Sequence, residues 1–259
     1  MRWTPGGSIL GWLTERPVAH RGLHDKGRGI IENTASAFQA AIEHGFAIEL
    51  DVQRTADGQA VVFHDATLER LTCESGPVAA RDAASLSQVR ITGSSDTIQT
   101  LDEILELVAG QVPLVIEMKS LWDGCGPLEQ AVARAIADYD GPLAVMSFDP
   151  DSVRAIAHYS PDTVRGFTCG IDGDVTDGEF LALARRRDAA SLGNLVALEP
   201  DFIAHHVRSL PSVLSRYARL IGIPVLTWTV RTVDDRRQAS HYADQMIFEG
   251  FVPGDPEEG

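Results

Sequence analysis

The chain has 259 residues, a length that fits one α/β barrel or two small domains. Its formal net charge of -15 disfavours binding to nucleic acid and stable association with anionic membranes, because like charges repel. The apolar stretch Ile9–Leu13 is too short for a secretory signal, and no apolar run approaches the roughly 18 residues of a membrane span. Three cysteines, Cys73, Cys125 and Cys169, without C-x-x-C spacing predict buried or semi-buried free thiols. We therefore expect a soluble, cytoplasmic protein.

Short apolar runs alternate along the chain with longer amphipathic segments. The short runs predict buried parallel strands at Pro17–His20, Ala47–Gln53, Val112–Met118, Leu143–Ser147, Val164–Thr168, Phe202–His205, Val225–Thr229 and Gln245–Phe248. The segments between them predict helices, among them Thr34–His44, Leu101–Val108, Leu128–Tyr139, Ser152–His158 and Ser212–Ile221. Eight strands alternating with helices predict an α/β fold, a (β/α)8 TIM barrel formed by residues 1–259 as a single domain. An open doubly wound sheet is the alternative.

One segment breaks this alternation. Ala60–Asp65 predicts a strand, but only four residues separate it from the strand before it. It must therefore be antiparallel, because parallel neighbours need a crossover of about a dozen residues. The dipeptide Asp57-Gly58 predicts a two-residue hairpin turn. That turn would place His64 opposite Asp51, with both side chains on one face of the hairpin.

Two long stretches lie outside the regular alternation. Residues 66–99 predict a short insertion over the barrel rim, after the hairpin that follows the second strand. Residues 170–196 predict a second, acidic loop region. Its Asp172–Gly178 segment is similar to a calcium-binding loop, but Leu183 stands at the twelfth position where such loops have a glutamate. We interpret it as a solvated acidic loop.

Carboxylates cluster at the ends of two neighbouring barrel strands. Glu49 and Asp51 are two residues apart in one strand and therefore share a face, as do Glu117 and Lys119 in the next barrel strand. The carboxyl ends of barrel strands converge on one site. Three converging carboxylates form the all-oxygen site that Mg2+ or Ca2+ prefers. Ion pairs with interior arginine or lysine are the alternative.

The first strand ends on a second set of functional side chains. His20 and Arg21 come directly after it, and Gly22 permits a sharp turn or a close approach of the backbone to a ligand. Arg21 could bind phosphate through its planar set of donors or pair with Glu32. Asn33 is predicted to cap the first long helix.

Together, two histidines, three acids, a lysine and an arginine suit the hydrolysis of a phosphodiester. A metal ion would withdraw charge from phosphorus. One histidine would take a proton from the attacking hydroxyl or water, and the other would protonate the leaving alkoxide. Imidazole suits both tasks because its pKa lies near neutrality.

These motifs and their order are similar to those of the glycerophosphodiester phosphodiesterase family. They extend from residue 18 to residue 230, and are individually weak but jointly specific. The matching motifs are His20-Arg21-Gly22, Glu32-Asn33-Thr34, Glu49-Leu50-Asp51-Val52, Asp57-Gly58, Val62-Phe63-His64-Asp65, Leu68-x-Arg70-Leu71-Thr72, Glu117-Met118-Lys119 and Trp228-Thr229-Val230.

The resemblance implies a (β/α)8 barrel and hydrolysis of glycerophosphodiesters to glycerol 3-phosphate and an alcohol. It implies that one divalent cation is bound by three acids: Glu49, Asp51 and Glu117. We favour Mg2+ because a cytosolic site would meet it most often, and Ca2+ is the alternative because three carboxylates suit either ion. His20 and His64 would be the acid–base pair. The implied substrate contacts are Arg21 and Lys119 on phosphate and Trp228 against the substrate. Attack by the glycerol 2-hydroxyl or directly by water stays open, as does a homo-oligomeric state.

The chain departs from the family pattern at two positions near the rim. Arg231 follows Trp-Thr-Val where the family usually has asparagine. Glu249 ends a strand that in the family commonly reads Gly-Ile-Ile-Thr-Asp. From its charge alone, Arg231 predicts a preference for a more anionic head group.

Three other functions compete with this prediction. A phospholipase D-like or sphingomyelinase-like lipid phosphodiesterase would need membrane affinity, which the net charge disfavours. A non-catalytic glycerophosphodiester-binding protein would usually have lost a histidine or a metal-binding acid, and all five are present. A nuclease would usually carry a basic groove, and the sequence contains no evident one.

Overall fold

The computed structural model describes residues 10–124, 126–170 and 191–254. Eight parallel strands follow one another around a closed barrel in chain order, and the last strand pairs with the first. Helices follow or separate the strands, so the fold is a (β/α)8 barrel, as the alternation predicted. The strands are β1 Val18–Ala19, β2 Ala47–Arg54, β3 Ala60–Val62, β4 Leu114–Met118, β5 Leu143–Ser147, β6 Val164–Cys169, β7 Phe202–His206, β8 Val225–Val230 and β9 Gln245–Phe248.

The helices begin where the local chemistry satisfies free backbone donors. Thr100 and Glu103 form the capping box that opens Leu101–Val108, and Asp149 caps the helix that starts with Pro150. Within the described residues the α-helices are Gly11–Glu15, Ala35–His44, Ala83–Leu86, Leu101–Val108, Pro127–Ile136, Pro150–Tyr159, Leu192–Leu198, Val213–Leu220 and Val233–Tyr242. None of the helices in this part of the chain is long and apolar enough to cross a membrane.

The strand period divides the core into two layers. Ile48 and Leu50 of β2 pack with Ile116 of β4 in the cluster that faces the helices. Ala47 and Val115, on the opposite face of the same strands, pack in a separate cluster within the barrel. Toward the carboxyl ends of the strands, the inward-facing positions hold acidic residues instead of apolar ones. The charged residues therefore lie above the apolar cluster within the barrel.

The hairpin exists, but its predicted register is wrong by one residue. β3 pairs antiparallel with β2, and Val52 lies opposite Val62. The Thr55 N–H donates to the Gln59 carbonyl over 2.9 Å, so the turn has three residues rather than two, with Gly58 at a φ of 76°. The extra residue places Phe63, not His64, opposite Asp51.

His64 nevertheless lies beside the acids, because the chain leaves the ladder after β3. The Gln53 side-chain amide donates to the carbonyls of Phe63 and Asp65, over 2.7 and 2.6 Å. These bonds hold the segment beyond Val62 in an irregular conformation. In such a segment, side chains do not alternate between two faces as they do in a strand.

Residues 66–99 form a compact excursion with its own apolar cluster. Short bridges at Thr67–Pro77 and Thr72–Ile91, the helix Ala83–Leu86 and the 3-10 turn Val78–Ala80 organise it. Leu68, Val78, Leu86 and Ile98 pack against Phe63 and Val61 of the hairpin region. The predicted insertion is therefore anchored on β3 by buried apolar side chains.

The second predicted loop, at 170–196, is interrupted by a helix. Leu192–Leu198 is helical, with Ser191 accepting from the Asn194 N–H at its start. The Asp172–Gly178 segment lies outside the described residues, as does Cys125. Cys73 and Cys169 are free thiols, as expected, and Cys169 is buried, but the prediction of burial is wrong for Cys73, which is exposed.

Two glycines with the same backbone conformation provide a test of the packing between Gly22 and the first long helix. Gly22 and Gly58 have φ of 81° and 76°, so alanine at either position costs about 1–2 kcal/mol of backbone strain. A Cβ at Gly22 would lie 2.8 Å from the Cβ of Ala37, whereas a Cβ at Gly58 meets nothing within 4 Å. We expect Gly58→Ala to lower the free energy of unfolding by the strain energy alone. Gly22→Ala should lower it by about 1–3 kcal/mol more.

Urea unfolding of both variants, followed by circular dichroism, measures the difference. Gly58→Asn should lie between wild type and Gly58→Ala, because asparagine tolerates a positive φ. Equal losses for Gly22→Ala and Gly58→Ala would contradict the close approach of Gly22 to the first long helix.

Candidate active site

Three buried acids from β2 and β4 meet inside the carboxyl end of the barrel. Asp51 lies opposite Glu117 in the strand pairing, and Glu49 is one inward position lower in β2. Glu49 and Asp51 are each 1% exposed and Glu117 is 8% exposed. Each offers a carboxylate oxygen, and these oxygens lie within 4.8 Å of one another. Oxygens that share one divalent cation at about 2.1–2.4 Å have spacings of this size.

Two cations and one amide hold the acids in place. Lys119 Nζ lies 2.8 Å from Glu117 Oε1 and 3.2 Å from Asp51 Oδ1. Arg21 Nε lies 3.2 Å from Asp51 Oδ2, and the Arg21 backbone N–H donates to Glu49 Oε2 over 2.9 Å. Asn33 Nδ2 donates to Asp51 Oδ2 over 2.8 Å. Asp51 is therefore the best compensated of the three carboxylates.

The pKa values of the three acids differ accordingly. Burial raises the pKa of Glu49, and the charges of Asp51 and Glu117 raise it further. Burial also raises the pKa of Glu117, against the opposing charge of Lys119. For Asp51 burial acts in the same direction, but the charge of Lys119 and other nearby cations outweighs it and lowers the pKa. The cluster thus lacks positive charge mainly around Glu49.

Two buried polar atoms of the predicted acids and histidines have no hydrogen-bond partner within the described part of the chain. They are Glu49 Oε1 and His64 Nε2. Buried polar atoms are almost always paired, and an exception calls for a ligand, ion or water that completes it. An unpaired carboxylate oxygen in a cluster of three acids fits a divalent cation.

His64 is fixed by a chain of charged residues. Its Nδ1 lies 2.7 Å from Asp65 Oδ1, and Asp65 Oδ2 accepts from Arg70 Nε over 2.5 Å. Arg70 also donates to both carboxylate oxygens of Glu32, over 2.7 and 3.0 Å. Glu32 in turn accepts from Arg21 over 2.7 Å, which connects the chain back to the acid cluster.

These contacts determine the ionisation states of Glu32 and Asp65. Burial raises the pKa of Glu32, but its hydrogen bond with Arg70 and the charge of Arg21 lower it to about 2. The pKa of Asp65 is likewise lowered, because its bonds to His64 and Arg70 outweigh burial. Both are ionised at neutral pH, so the Nδ1–H of His64 donates its hydrogen bond to the carboxylate of Asp65.

His20 is held by a similar set of contacts, with residues near the C-terminal end of the sequence. Its Nδ1 is hydrogen-bonded to Glu249 Oε2, and Glu249 Oε1 accepts from Arg231 Nε over 2.5 Å. His24 Nε2 lies 3.7 Å from the same carboxylate. The other ring nitrogen, His20 Nε2, lies 3.9 Å from Glu49 Oε2 and so faces the acid cluster.

Trp228 lies on the inner side of β8 and is 8% exposed. Its Nε1 donates to the Ala204 carbonyl over 3.0 Å, and its ring makes edge contacts with Phe148 and His206. The indole is thus fixed by its neighbours before any ligand arrives.

The sequence did not predict all members of the site. Asn33 is not the helix cap; Thr34 is, through its side chain and the Ala37 N–H, and Asn33 binds Asp51 instead. Arg21 pairs with Glu32, one of the two predicted options. Asp65 was detectable as a carboxylate next to a histidine, whereas Glu249 gave no local signal of its contact with His20.

Comparison with known proteins agrees with this geometry. The model of the glycerophosphoryl diester phosphodiesterase family matches residues 20–257. A glycerophosphodiester phosphodiesterase of Caldanaerobacter subterraneus subsp. tengcongensis is 29% identical over 257 residues, covering 93% of this chain and 94% of that protein.

Solved structures share the fold. A glycerophosphodiester phosphodiesterase of Thermotoga maritima matches with a TM-score of 0.66 and 25% identity, over 90% of this chain and 94% of that one. A phosphodiesterase of Oleispira antarctica, solved with sn-glycerol-3-phosphate, matches with a TM-score of 0.72 and 22% identity, over 92% and 94%. With its barrel and its buried acid cluster, the chain belongs to the glycerophosphoryl diester phosphodiesterase family and is a phosphoric diester hydrolase.

Proposed function

We propose that this enzyme hydrolyses glycerophosphodiesters to glycerol 3-phosphate and an alcohol, with His20 and His64 as the acid–base pair. The observation that carries the proposal is the arrangement of the two imidazoles. Each has its Nδ1 on an ionised carboxylate, and each lies in the electrostatic field of the same acid cluster. The related Oleispira antarctica enzyme was solved with sn-glycerol-3-phosphate, which is the proposed product.

The residues that would hold a divalent cation are Glu49, Asp51 and Glu117. Their shared spacing, their burial and the unpaired Glu49 Oε1 support this assignment. When bound, the cation would supply Lewis-acid polarisation of a phosphoryl oxygen. We favour Mg2+ because hard oxygen ligands suit it and because cells hold it in abundance, and Ca2+ is the alternative for the same donor set.

The proton transfers follow from the fixed tautomers. A carboxylate only accepts hydrogen bonds, so Glu249 and Asp65 keep the proton of each ring on Nδ1. In the neutral imidazole, Nε2 is then the basic atom. One Nε2 takes the proton from the attacking hydroxyl or water, and the other, protonated, gives its proton to the leaving alkoxide.

Lys119 and Arg21 are proposed to bind the phosphate. Both are buried, and both already contact the acids, so they are held at the site before substrate arrives. Burial lowers the pKa of Lys119, but the charges of Asp51 and Glu117 outweigh it and raise the pKa. Lys119 therefore stays charged and attracts the anionic diester that the net charge of the chain would otherwise repel.

Release of glycerol 3-phosphate from glycerophosphocholine tests this proposal. With Mg2+ or Ca2+ present, we expect His20→Ala and His64→Ala each to lower kcat by about 10²- to 10⁴-fold, because each removes one proton transfer. EDTA should abolish release by the wild type.

The matched control is His158→Ala, which removes an exposed histidine from the helix Pro150–Tyr159. It should keep wild-type kinetics. Wild-type rates in either His20→Ala or His64→Ala would refute that residue's assigned role, and no release with several head groups would refute the substrate class.

Metal binding can be tested through stability, without activity. Glu49→Gln removes the acid whose pKa is raised by burial and by its two acidic neighbours, so it should stabilise the metal-free protein. The same change should abolish stabilisation by metal, which for the wild type is about 2.7 kcal/mol at a concentration of one hundred times Kd.

Thermal unfolding with and without Mg2+, and separately Ca2+, measures both effects. Glu43→Gln, at an exposed glutamate in the first long helix, should behave as wild type. If Glu49→Gln kept the full metal-dependent rise in Tm, Glu49 would not be a ligand.

A further inference from the structure

Closure of the barrel brings three strand ends together at the rim. Ala19 of β1 lies opposite Phe248 of β9, so the next residues along these strands, His20 and Glu249, are also neighbours. The Glu249 N–H donates to the Val230 carbonyl over 3.1 Å at the end of β8, and Arg231 follows directly. Three residues that are distant in sequence therefore end side by side.

Their side chains form a continuous line of contacts. His20 Nδ1 is bonded to Glu249 Oε2, and Arg231 Nε lies 2.5 Å from the other oxygen, Glu249 Oε1. The Arg231 backbone N–H donates to Asp235 Oδ2 over 3.2 Å, and Asp235 is part of the capping box of the next helix. The arginine is thus anchored at its main chain as well as at its guanidinium.

The charges along this line are complementary. The carboxyl of Glu249 is 19% exposed and the guanidinium side chain of Arg231 is 53% exposed. Burial raises the pKa of Glu249, but its hydrogen bond with His20, the nearby His24 and the charge of Arg231 lower it overall. An ionised carboxylate can only accept, so the His20 proton resides on Nδ1 and the lone pair of the neutral ring resides on Nε2.

We infer that Glu249 is a positioning residue that fixes the tautomer and orientation of His20, and that Arg231 holds Glu249 in place for that task. The inference rests on the proposed role of His20. Arg231 and Glu249 are the two positions where the chain departs from the family pattern. We assign them one joint task, which neither side chain performs alone.

The same arrangement at His64 supports this reading. There, Asp65 contacts Nδ1 and Arg70 holds Asp65 through two donors, over 2.5 and 2.9 Å. Each imidazole thus has one carboxylate behind it and one arginine behind that carboxylate. Supporting carboxylates of this kind typically change activity by about 10- to 100-fold when removed.

Arg231 also has a simpler interpretation, as a contact for an anionic head group. Its Nε is taken up by Glu249, and that carboxylate lies between Arg231 and His20. Part of its positive charge is therefore compensated within the protein. The two interpretations differ in their kinetics, because a head-group contact changes KM, whereas a positioning pair changes kcat.

The kinetic test uses glycerophosphocholine with saturating Mg2+. We expect Glu249→Ala to lower kcat by about 10- to 100-fold. Glu249→Gln should fall between Ala and wild type, because it keeps an acceptor oxygen without the charge. Arg231→Ala should lower kcat by a smaller factor, roughly threefold to tenfold, and Arg231→Lys should recover part of it. KM should stay within about twofold of wild type throughout.

The second readout does not depend on turnover. Nitrogen-15 spectra of the imidazoles in metal-free protein, with His20 assigned through His20→Ala, should show His20 with its proton on Nδ1. In Glu249→Ala this preference should be lost and both tautomers should be populated, because Nδ1–H no longer has an ionised acceptor. The tautomer of His64 should be unchanged, because Asp65 remains.

The control variant is Asp234→Asn. It breaks the exposed Asp234–Arg237 ion pair on the adjoining helix, 2.9 Å in length, without touching His20 or Glu249. It should leave both kcat and the His20 spectrum as in wild type.

The outcomes separate this inference from the function on which it rests. Wild-type activity in His20→Ala would refute the role of His20 and this inference with it. A normal loss in His20→Ala, combined with an unchanged kcat in Glu249→Ala, would overturn this inference alone. A selective rise in KM in both Arg231→Ala and Glu249→Ala would also overturn it, in favour of a head-group contact.

Discussion

The arrangement of the site depends on the mutual repulsion of three carboxylates that the barrel brings together in a mostly buried position. Two permanent cations, Lys119 and Arg21, lie against Glu49, Asp51 and Glu117, so the positive charge in contact is smaller than the negative charge. The shortfall is concentrated on Glu49, which is 1% exposed and has an unpaired Oε1. Burial of an uncompensated charge is costly. The proposed cation would neutralise this uncompensated charge, and its binding would link the stability of the site to its chemistry.

Around this centre, acidic and basic residues alternate outward from each histidine. His64 is followed by Asp65, Arg70 and Glu32, and Glu32 returns to Arg21 at the cluster. Every acid in that sequence contacts an arginine, which keeps it ionised and prevents it from adding to the repulsion at the centre. The lowered pKa of Glu32, about 2, reflects those arginine contacts acting against burial. Ionised carboxylates at these places accept hydrogen bonds from the imidazole rings, so the charge pattern that stabilises the site would also prepare the histidines for the proposed proton transfers.

The sequence predicted the barrel because its two periods are clear: two residues in the strands and about 3.6 in the helices. It located the acid cluster for the same reason, since residues 49, 51 and 117 lie at inward positions near strand ends. The register of the hairpin failed because Asp57-Gly58 fits both a two-residue and a three-residue turn, and only the backbone geometry decides between them. The role of Asn33 failed because asparagine suits a helix cap equally well. Its bond to Asp51 depends on tertiary packing that no local pattern encodes.

The contact between His20 and Glu249 is of a different kind, since 229 positions separate the two residues. Only closure of the barrel between β1 and β9 makes them neighbours, and an open sheet would leave them on opposite edges. Closure thus does more than remove unpaired strand edges. It allows an acid from the last strand to support a histidine from the first, while an arginine from the neighbouring strand β8 balances the added charge at the rim. Because Arg231 lies against Glu249, it compensates part of the negative charge that this fourth carboxylate adds close to the other three.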